Sequence, residues 1–185
     1  NVYTLICQLT RDNKILDECR LPVGFRQLEF NPVSGFLLNG KSLKIKGVCD
    51  HHTAGAVGAA VHDDLLHYRL KLLKDMGCNA IRTSHNPFSP AFYNLCDTMG
   101  IMVLNEGLDG WNQPKAADDY GNYFDEWWQK DMTDFIKRDR NHPSIIMWSI
   151  GNEVTGATPE IQHNLVSLIH QLDPDRPVTK GGTGT

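Results

Sequence analysis

"SIIMWSIGNE" occupies residues 144–153 and joins a continuous apolar run to a polar end at Asn152 and Glu153. An apolar run without polar alternation is typical of a strand buried on both faces, as in parallel sheets that are covered by helices. A glutamate directly after such a strand lies either in a solvated loop or in a functional site. The neighbouring segments of the chain distinguish these two possibilities.

The same alternation of apolar strand and helix recurs through most of the chain. Strands are predicted at residues 43–50, 79–84, 101–105, 144–150 and 178–180, and helices at 62–76, 89–99, 119–140 and from Thr158 onward. This order predicts an α/β fold, either a doubly wound sheet or a (β/α)8 barrel. No GxGxxG motif follows the first strand, which argues against a nucleotide-binding doubly wound sheet. A full barrel needs about 250 residues, so the barrel alternative would be a partial (β/α)8 TIM barrel that contains the first four to five β-α units.

The first part of the chain has a different character. Residues 2–9 and 15–30 have strand composition without helical spacing, and Asn39–Gly40 is a strong signal for a tight hairpin. A short β-rich segment is therefore predicted before the barrel. The first predicted helix, residues 62–76, has an apolar stripe at Leu65, Tyr68, Leu72 and Met76, with Leu66, Leu70 and Leu73 alongside.

Composition narrows the class of partner. The formal net charge is −4 and no block of Lys and Arg is present, which argues against nucleic acid or an anionic membrane surface as a partner. No apolar run is long enough for a transmembrane helix, and the N-terminus lacks the basic and apolar segments of a signal peptide. The sequence leaves the compartment open.

Cysteine usage excludes two further classes. The 5 cysteines are scattered, odd in number and without a CxxC pair, so they form neither a disulfide framework nor a zinc site. We expect them to be free thiols with mostly buried side chains.

Polar side chains close each of the first four predicted barrel strands. In barrels of this type the catalytic groups come from the carboxyl ends of the strands and the loops that follow. The candidates are Asp50-His51-His52, then Arg82 with Ser84-His85-Asn86, then Asn105-Glu106, and finally Asn152-Glu153. Polar endings in register at one face favour a functional site over solvated loops.

The residue types favour carbohydrate hydrolysis. Cleavage of a glycosidic bond needs one carboxylic acid that protonates the leaving oxygen and a second carboxylate that attacks or activates water. Glu153 emerges from an apolar strand, and an apolar setting helps a carboxylic acid to keep its proton. Amide and imidazole groups would bind sugar hydroxyls. Trp111 or Trp148 could stack on a sugar, although the position of Trp148 inside a strand favours the core.

A metal site is a weaker interpretation of the same residues. His51 and His52 could be combined with Glu106 or Glu153, but adjacent histidines at a strand end point in different directions. The sequence has no HExxH or comparable spacing. We therefore predict no catalytic metal and no cofactor.

Four segments carry a further signal: "FLLNGKSLKIKGVCDHH", "LLKDMGCNAIRTSHNPFSPAFYNLCDTMGIMVLNE", "RDRNHPSIIMWSIGNE" and "LDPDRPVT". They resemble glycoside hydrolase family 2, the family of β-galactosidases, β-glucuronidases and β-mannosidases, and are most similar to its bacterial β-galactosidase-like members. The resemblance implies a (β/α)8 barrel preceded by β-sandwich domains. Residues 1–24 would then be the last strands of an immunoglobulin-like domain, and residues 25–185 the N-terminal half of the catalytic barrel.

The resemblance also implies roles for individual residues. Glu153 would be the general acid/base of a retaining hydrolase, and Asn152 would bind the sugar 2-hydroxyl. The remaining residues of the predicted sugar subsite are His51, Arg82, His85, Glu106 and Trp111. The family nucleophile is a glutamate on the seventh strand, beyond residue 185, and Glu106 does not match it. The best-known β-galactosidases hold magnesium with an acidic residue and a histidine after the third strand, and "NEGLDGWNQP" lacks that histidine.

The resemblance leads to expectations for the chain as a whole. The chain begins at Asn1 and ends as a fifth strand begins, so we expect it to be a fragment of a longer hydrolase. That hydrolase would remove terminal β-linked sugars, with galactose favoured. β-Glucuronidase, β-mannosidase, exo-glucosaminidase and a non-catalytic carbohydrate-binding module are the alternatives. Without the nucleophile the fragment should be inactive alone, and its open sheet edges should promote self-association.

Overall fold

The computed structural model describes residues 2–182 and divides them into three sheets and four α-helices. The strands are β1 (Tyr3–Arg11), β2 (Lys14–Val23), β3 (Leu28–Asn31), β4 (Gly35–Leu38), β5 (Lys41–Ser42), β6 (Gly47–His51), β7 (Ala80–Ser84), β8 (Met102–Glu106), β9 (Ile145–Asn152) and β10 (Val178–Gly181). The helices are α1 (Asp63–Asp75), α2 (Pro90–Met99), α3 (Phe124–Asp139) and α4 (Pro159–Leu172). No helix within residues 2–182 is both long enough and apolar enough to cross a membrane.

The largest sheet has five parallel strands in the order β10-β9-β8-β7-β6. Each strand therefore pairs with its neighbour along the chain, and a helix connects every pair. A doubly wound sheet would reverse its strand order near the middle, so the consecutive order excludes that alternative. The predicted partial (β/α)8 barrel is confirmed. We call the carboxyl ends of β6–β10 the upper end of the sheet and the amino ends the lower end.

The helices pack on the outer face of this sheet and form the main core. Thr158 caps α4 as predicted, because its hydroxyl accepts a hydrogen bond from the Ile161 amide at 3.2 Å. The predicted face of α1 is wrong. Leu66 and Leu70 are each 1% exposed, whereas Tyr68 of the predicted stripe is 58% exposed. Both sides of this helix are leucine-rich, so the neighbouring α2 and sheet determine which side is buried.

A small antiparallel sheet, β3-β4-β5, closes the lower end. Its Phe36 packs in a second core cluster with Ala80, Met102 and Ile146. The predicted Asn39–Gly40 hairpin is confirmed, with positive φ at both residues, as a tight two-residue turn requires. The strand predicted over residues 43–50 begins only at Gly47. Asn79 explains the difference, since its side chain binds the backbone of Lys44 and Lys46, which precede that strand.

β1 and β2 form an antiparallel hairpin of their own. Cys7 pairs with Cys19 across this hairpin, and both are exposed, as is Cys49. The expectation of mostly buried thiols is therefore wrong for these cysteines, and Cys96 is the buried one. The assignment of residues 1–24 to an immunoglobulin-like domain stays a prediction.

The lower end contains a buried arginine that is fully engaged. Arg176, in the loop before β10, is 8% exposed and forms an ion pair with Asp173. Its remaining N–H groups donate to the backbone carbonyls of Ile145 (2.8 Å), Arg140 (2.9 Å) and His142 (3.2 Å). Asp173 also accepts from Trp148 Nε1 at 2.9 Å. This network ties the α3–β9 and α4–β10 loops together beneath the sheet.

Candidate active site

Glu106, at the upper end of the central strand β8, is the centre of the candidate site. Its carboxylate is 0% exposed and accepts hydrogen bonds from three sides. Arg82 donates through Nε and Nη2 at 2.8–3.0 Å, and Ser149 Oγ donates at 2.6 Å. His85 Nδ1 lies 2.6 Å from Oε1. A buried carboxylate is tolerable here because a cation and several hydrogen bonds compensate its charge.

Arg82 connects this carboxylate to the strand that carries the candidate acid. The side chain rises from the middle of β7, and Nη2 donates to Asn152 Oδ1 at 2.8 Å. Burial works to lower the pKa of Arg82, but its hydrogen bonds to Cys49 and Glu106 and its attraction to Glu106 outweigh that effect and raise the pKa. Arg82 is therefore a fixed cation whose position is set by Glu106.

Two histidines line the same face. His85 follows β7 directly, as predicted, and its ring packs edge-on against His51, with 5.4 Å between the ring centroids. His52 turns away and packs on Phe88 at 4.9 Å. Burial, and then the charge of Arg69, lower the pKa of His52, while Asp50 opposes them. The adjacent histidines thus diverge, as the alternation of a strand requires.

Asn152 and Glu153 leave the end of β9 in a constrained conformation. Glu153 has a φ of 45°, and its amide donates to the Gly181 carbonyl at 3.1 Å. The Glu153 side chain is exposed. The prediction that the Glu153 carboxylate has apolar surroundings is therefore wrong among the described residues 2–182. The apolar side chains of β9 end before Glu153. Gly181 also makes room for Arg82, since a Cβ at this position would overlap Nη2.

The loop between β8 and α3 supplies two residues that the sequence analysis did not identify. Asp109 Oδ1 accepts from Asn152 Nδ2 at 3.2 Å. Lys115 Nζ donates to Asp109 Oδ1 at 3.0 Å and to the backbone carbonyl of Asn152 at 2.7 Å. Both lie in irregular structure, where neither helical nor strand periodicity gives a signal. An acidic and a basic residue six apart in a loop after a site strand were the available clue.

Two predicted sugar contacts need correction. Trp111 is 0% exposed, and its Nε1 donates to the Ile150 carbonyl at 2.8 Å. Gly151 allows this packing, because a Cβ there would lie 2.9 Å from Trp111 Nε1. The ring therefore supports β9 from behind and offers no face for stacking. Glu106 is likewise closed over by its partners, so its role is to position Arg82 and His85. Trp148, also 0% exposed, belongs to the core as predicted.

The described residues do not form a site that fits magnesium. Within residues 2–182, no group of three or more His, Cys, Asp or Glu side chains is arranged to hold a metal ion. Asp109, the acidic residue of the β8–α3 loop that lies nearest to the end of β8, is already paired with Lys115 and Asn152. A hard dication needs several free oxygen ligands, and Asp109 has no free carboxylate oxygen pair to offer one.

A consecutive parallel sheet with carboxylate, imidazole, amide and guanidinium groups at its upper end is typical of (β/α)8-barrel enzymes. Comparison with known proteins identifies the family. Residues 32–184 match the family described as "Glycosyl hydrolases family 2, TIM barrel domain". The chain belongs to glycosyl hydrolase family 2.

Individual relatives agree with this assignment. The chain is 41% identical, over 97% of its length, to the β-galactosidase BoGH2A of Bacteroides ovatus. It is 45% identical, over 98% of its length, to a putative β-glucuronidase of Formosa agariphila. A crystal structure of a β-glycosidase from Bacteroides vulgatus is 98% identical over 98% of the chain, with a TM-score of 0.96. The chain spans 25%, 17% and 24% of the lengths of these three proteins.

Proposed function

We propose that this chain is part of a longer retaining glycoside hydrolase that removes terminal β-linked sugars, with Glu153 as the general acid/base. The observation that carries the proposal is the position of Glu153. It stands exposed at the upper end of β9, beside a buried network that fixes Arg82, His85 and Asn152. An exposed carboxylate held next to preorganised hydrogen-bonding groups suits proton transfer to and from a glycosidic oxygen.

The same network supports a role for Asn152 in binding the sugar 2-hydroxyl. Its Oδ1 accepts from Arg82 and its Nδ2 donates to Asp109. An amide oxygen has a second lone pair and an amide nitrogen has a second hydrogen. Each atom therefore keeps the capacity to bind a hydroxyl, in an orientation that Arg82 and Asp109 fix. His51 and His85 complete the proposed subsite.

Retention needs a second carboxylate about 5–5.5 Å from the first. Within residues 2–182 the other acidic side chains at the strand ends are engaged: Glu106 by Arg82, Asp50 by Arg69 and Asp109 by Lys115. Because each of them already has a cationic partner, none of them is our candidate for the nucleophile. We therefore assign the nucleophile to sequence outside this chain, and we expect the 185-residue segment to be inactive alone.

A β-galactoside is the favoured substrate, in line with the Bacteroides ovatus β-galactosidase among the relatives. A uronic acid would need a free cation for its carboxylate, and Arg82 and Lys115 are paired with Glu106 and Asp109. A third cation, Lys180, stands over the Trp111 ring at 6.0 Å without an ion-pair partner within residues 2–182, so it is the group that a β-glucuronide would use. β-Glucuronides, β-mannosides and β-glucosaminides are the competing substrates.

The test uses the Bacteroides vulgatus β-glycosidase as a host, with its matching segment replaced by this sequence. We call the resulting chimeric protein the host chain. The replacement changes few residues, because the two sequences are 98% identical over 98% of this chain. Para-nitrophenyl β-galactoside, β-glucuronide, β-mannoside and β-glucosaminide are assayed in parallel. Cleavage of the galactoside at the highest kcat/KM is the expected result.

Glu153→Gln in the host chain should lower kcat/KM on a poor leaving group by roughly 10²–10⁴-fold, the usual contribution of general acid–base catalysis. Asp134→Asn, on the exposed face of α3, is a matched acidic control and should leave activity unchanged. Unchanged turnover in Glu153→Gln would contradict the assignment. Sugar binding without turnover by the host chain itself would favour the non-catalytic binding module.

A further inference from the structure

We propose that Lys115 and Asp109 are positioning residues that hold the peptide between Asn152 and Glu153, and so keep the carboxylate of Glu153 aimed at the leaving oxygen. This inference rests on the proposed role of Glu153 as general acid/base. We call these two side chains the loop clamp. The clamp lies in the β8–α3 loop and reaches across to the end of β9.

The peptide that carries Glu153 is bound at both of its polar ends. Its carbonyl oxygen, from Asn152, accepts from Lys115 Nζ at 2.7 Å. Its N–H, from Glu153, donates to the Gly181 carbonyl at 3.1 Å. The two bonds come from different neighbours, the β8–α3 loop and β10. Together they fix the plane of this peptide.

That plane determines the unusual backbone of Glu153. A φ of 45° is unfavourable for a residue with a Cβ, and such conformations persist only where the surroundings impose them. Rotation of the peptide plane changes ψ of Asn152 and φ of Glu153 together, and would return Glu153 to a negative φ. The same rotation would turn the Asn152 carbonyl away from Lys115. The ammonium group therefore opposes the relaxation.

Lys115 is itself held in place. Its Nζ also donates to the Asp109 backbone carbonyl at 2.7 Å and to Asp109 Oδ1 at 3.0 Å. Its backbone amide donates to Asp119 Oδ2 at 2.8 Å. The Asp109 carboxylate in turn accepts from Asn152 Nδ2 at 3.2 Å. The loop thus binds both the backbone carbonyl and the side-chain amide of Asn152. Both hydrogen bonds are charge-assisted, since one donor is an ammonium group and one acceptor is a carboxylate.

The clamp should affect proton donation more than sugar binding. A general acid must approach the atom it protonates to about 2.6–3.2 Å, and rotation of its own backbone peptide would move it out of that range. The hydroxyl-binding side chain of Asn152 keeps its bond from Arg82 at 2.8 Å when Lys115 is removed. Arg82 and His85 are in turn held by Glu106. Loss of the clamp should therefore lower kcat while KM changes little.

The experiment replaces Lys115 by methionine in the host chain and measures kcat/KM on aryl β-glycosides with leaving groups of increasing pKa. The sugar is the one that the host chain cleaves best. An acidic phenol departs with little protonation, whereas a weakly acidic phenol depends on the general acid. We expect Lys115→Met to lose about tenfold on the least acidic leaving group, a fraction of a full general-acid effect, and to match the host chain on the most acidic.

Two controls accompany this variant. Lys130→Met makes the same substitution at an exposed ion pair on α3, where Lys130 Nζ lies 2.9 Å from Asp134, and should change no kinetic constant. Lys115→Arg keeps a cation at the clamp and should recover part of the loss. If Lys115→Met does not fold, as judged by its melting curve, Asp109→Asn is measured on the same series and should show the same dependence with a smaller amplitude.

The outcomes separate the clamp from the proposed function. In the first case Glu153→Gln shows a loss of kcat/KM that grows with leaving-group pKa. The clamp is then overturned if Lys115→Met loses equally on all leaving groups, or loses nothing. If Glu153→Gln shows no such dependence, the role of Glu153 fails first and the clamp fails with it. A larger loss on weakly acidic leaving groups in both variants supports both.

Discussion

Each end of the parallel sheet has an arginine that pairs with a buried carboxylate, and the two arginines differ in what else they bind. At the lower end, Arg176 pairs with Asp173 and gives its other donors to backbone carbonyls. At the upper end, Arg82 pairs with Glu106 and then binds a side chain, Asn152. Bonds to carbonyls fix the course of the chain, whereas bonds between side chains fix the positions of functional groups. The same chemistry therefore serves the fold at one end and the site at the other.

Neighbouring groups show the same difference. The carboxylate of Asp97 near the lower end accepts from His142 at 2.6 Å and from the Ser144 amide at 2.9 Å, so it is fully engaged in holding a loop. Glu153 at the upper end has an exposed side chain. In barrels the amino ends of the strands contribute stability and the carboxyl ends catalysis. Substitutions should follow this division, and three of them test it.

The largest effect is expected on stability, from Arg176→Met in the host chain. Removing one partner of a buried ion pair leaves the other uncompensated and costs about 3 kcal/mol of unfolding free energy. Molecules that remain folded should keep their kcat/KM, because Arg176 contacts no group of the candidate site. Denaturant unfolding and kinetics below the transition measure the two quantities. Arg140→Met is the control, because Arg140 is exposed and its side chain makes one bond to the backbone. A loss of kcat/KM in folded Arg176→Met would contradict the assignment of Arg176 to the fold alone.

The second effect is expected at the upper end, from Glu106→Gln. Glutamine keeps the shape of the side chain but removes its charge, and its amide group would meet the donors of Arg82. We expect kcat/KM to fall roughly 10- to 100-fold, about 1.4–2.7 kcal/mol of activation free energy. Ser149→Ala removes one bond to the same carboxylate and should have a smaller effect. Activity that falls only in proportion to the folded fraction would show that Glu106 serves the fold alone.

The smallest effect is expected from Gly181→Ala, which adds only a methyl group next to Arg82. The new Cβ would push Arg82 Nη2 away from Asn152. The displaced guanidinium is held by Glu106 but lies at the end of a long side chain, so unfolding free energy should fall by only about 1 kcal/mol. kcat/KM should fall several-fold. Gly55→Ala, where a Cβ meets no atom within 4 Å, is the matched control; equal activity of the two variants would contradict the role of Gly181.

The sequence predicted most of the fold because periodicity and order are local signals. β7, β8 and α2 begin and end within a residue or two of their predicted bounds. The face of α1 failed, because leucines lie on both sides and the choice depends on which side meets α2. The start of β6 failed for a similar reason, since Asn79, far along the chain, binds the segment before it.

The candidate site was predictable where it lies on strands. The second strand carries Arg82, and strand ends identify His85, Asn152 and Glu153. The structure brings the first three into one hydrogen-bonded network around Glu106. The burial of Glu106 was not predictable, because it depends on three partners from other segments. Lys115 was missed because its bond to Asn152 spans 37 residues and starts in an irregular loop. Trp111 was misassigned because a loop tryptophan gives no sign of the space behind Gly151.

The small sheet β3-β4-β5 has a consequence for protein engineering. Phe36 comes before the first barrel strand in the sequence, yet it fills the lower interior of the barrel against Ala80, Met102 and Ile146. Arg26 also reaches the Ile145 carbonyl at 2.6 Å from that upstream segment. If a domain exchange placed its junction just before β6, the barrel would lose Phe36, which covers its lower end. The apolar residues beneath Phe36 would then be exposed to water. The transferable module therefore begins near Arg26, well ahead of the first barrel strand.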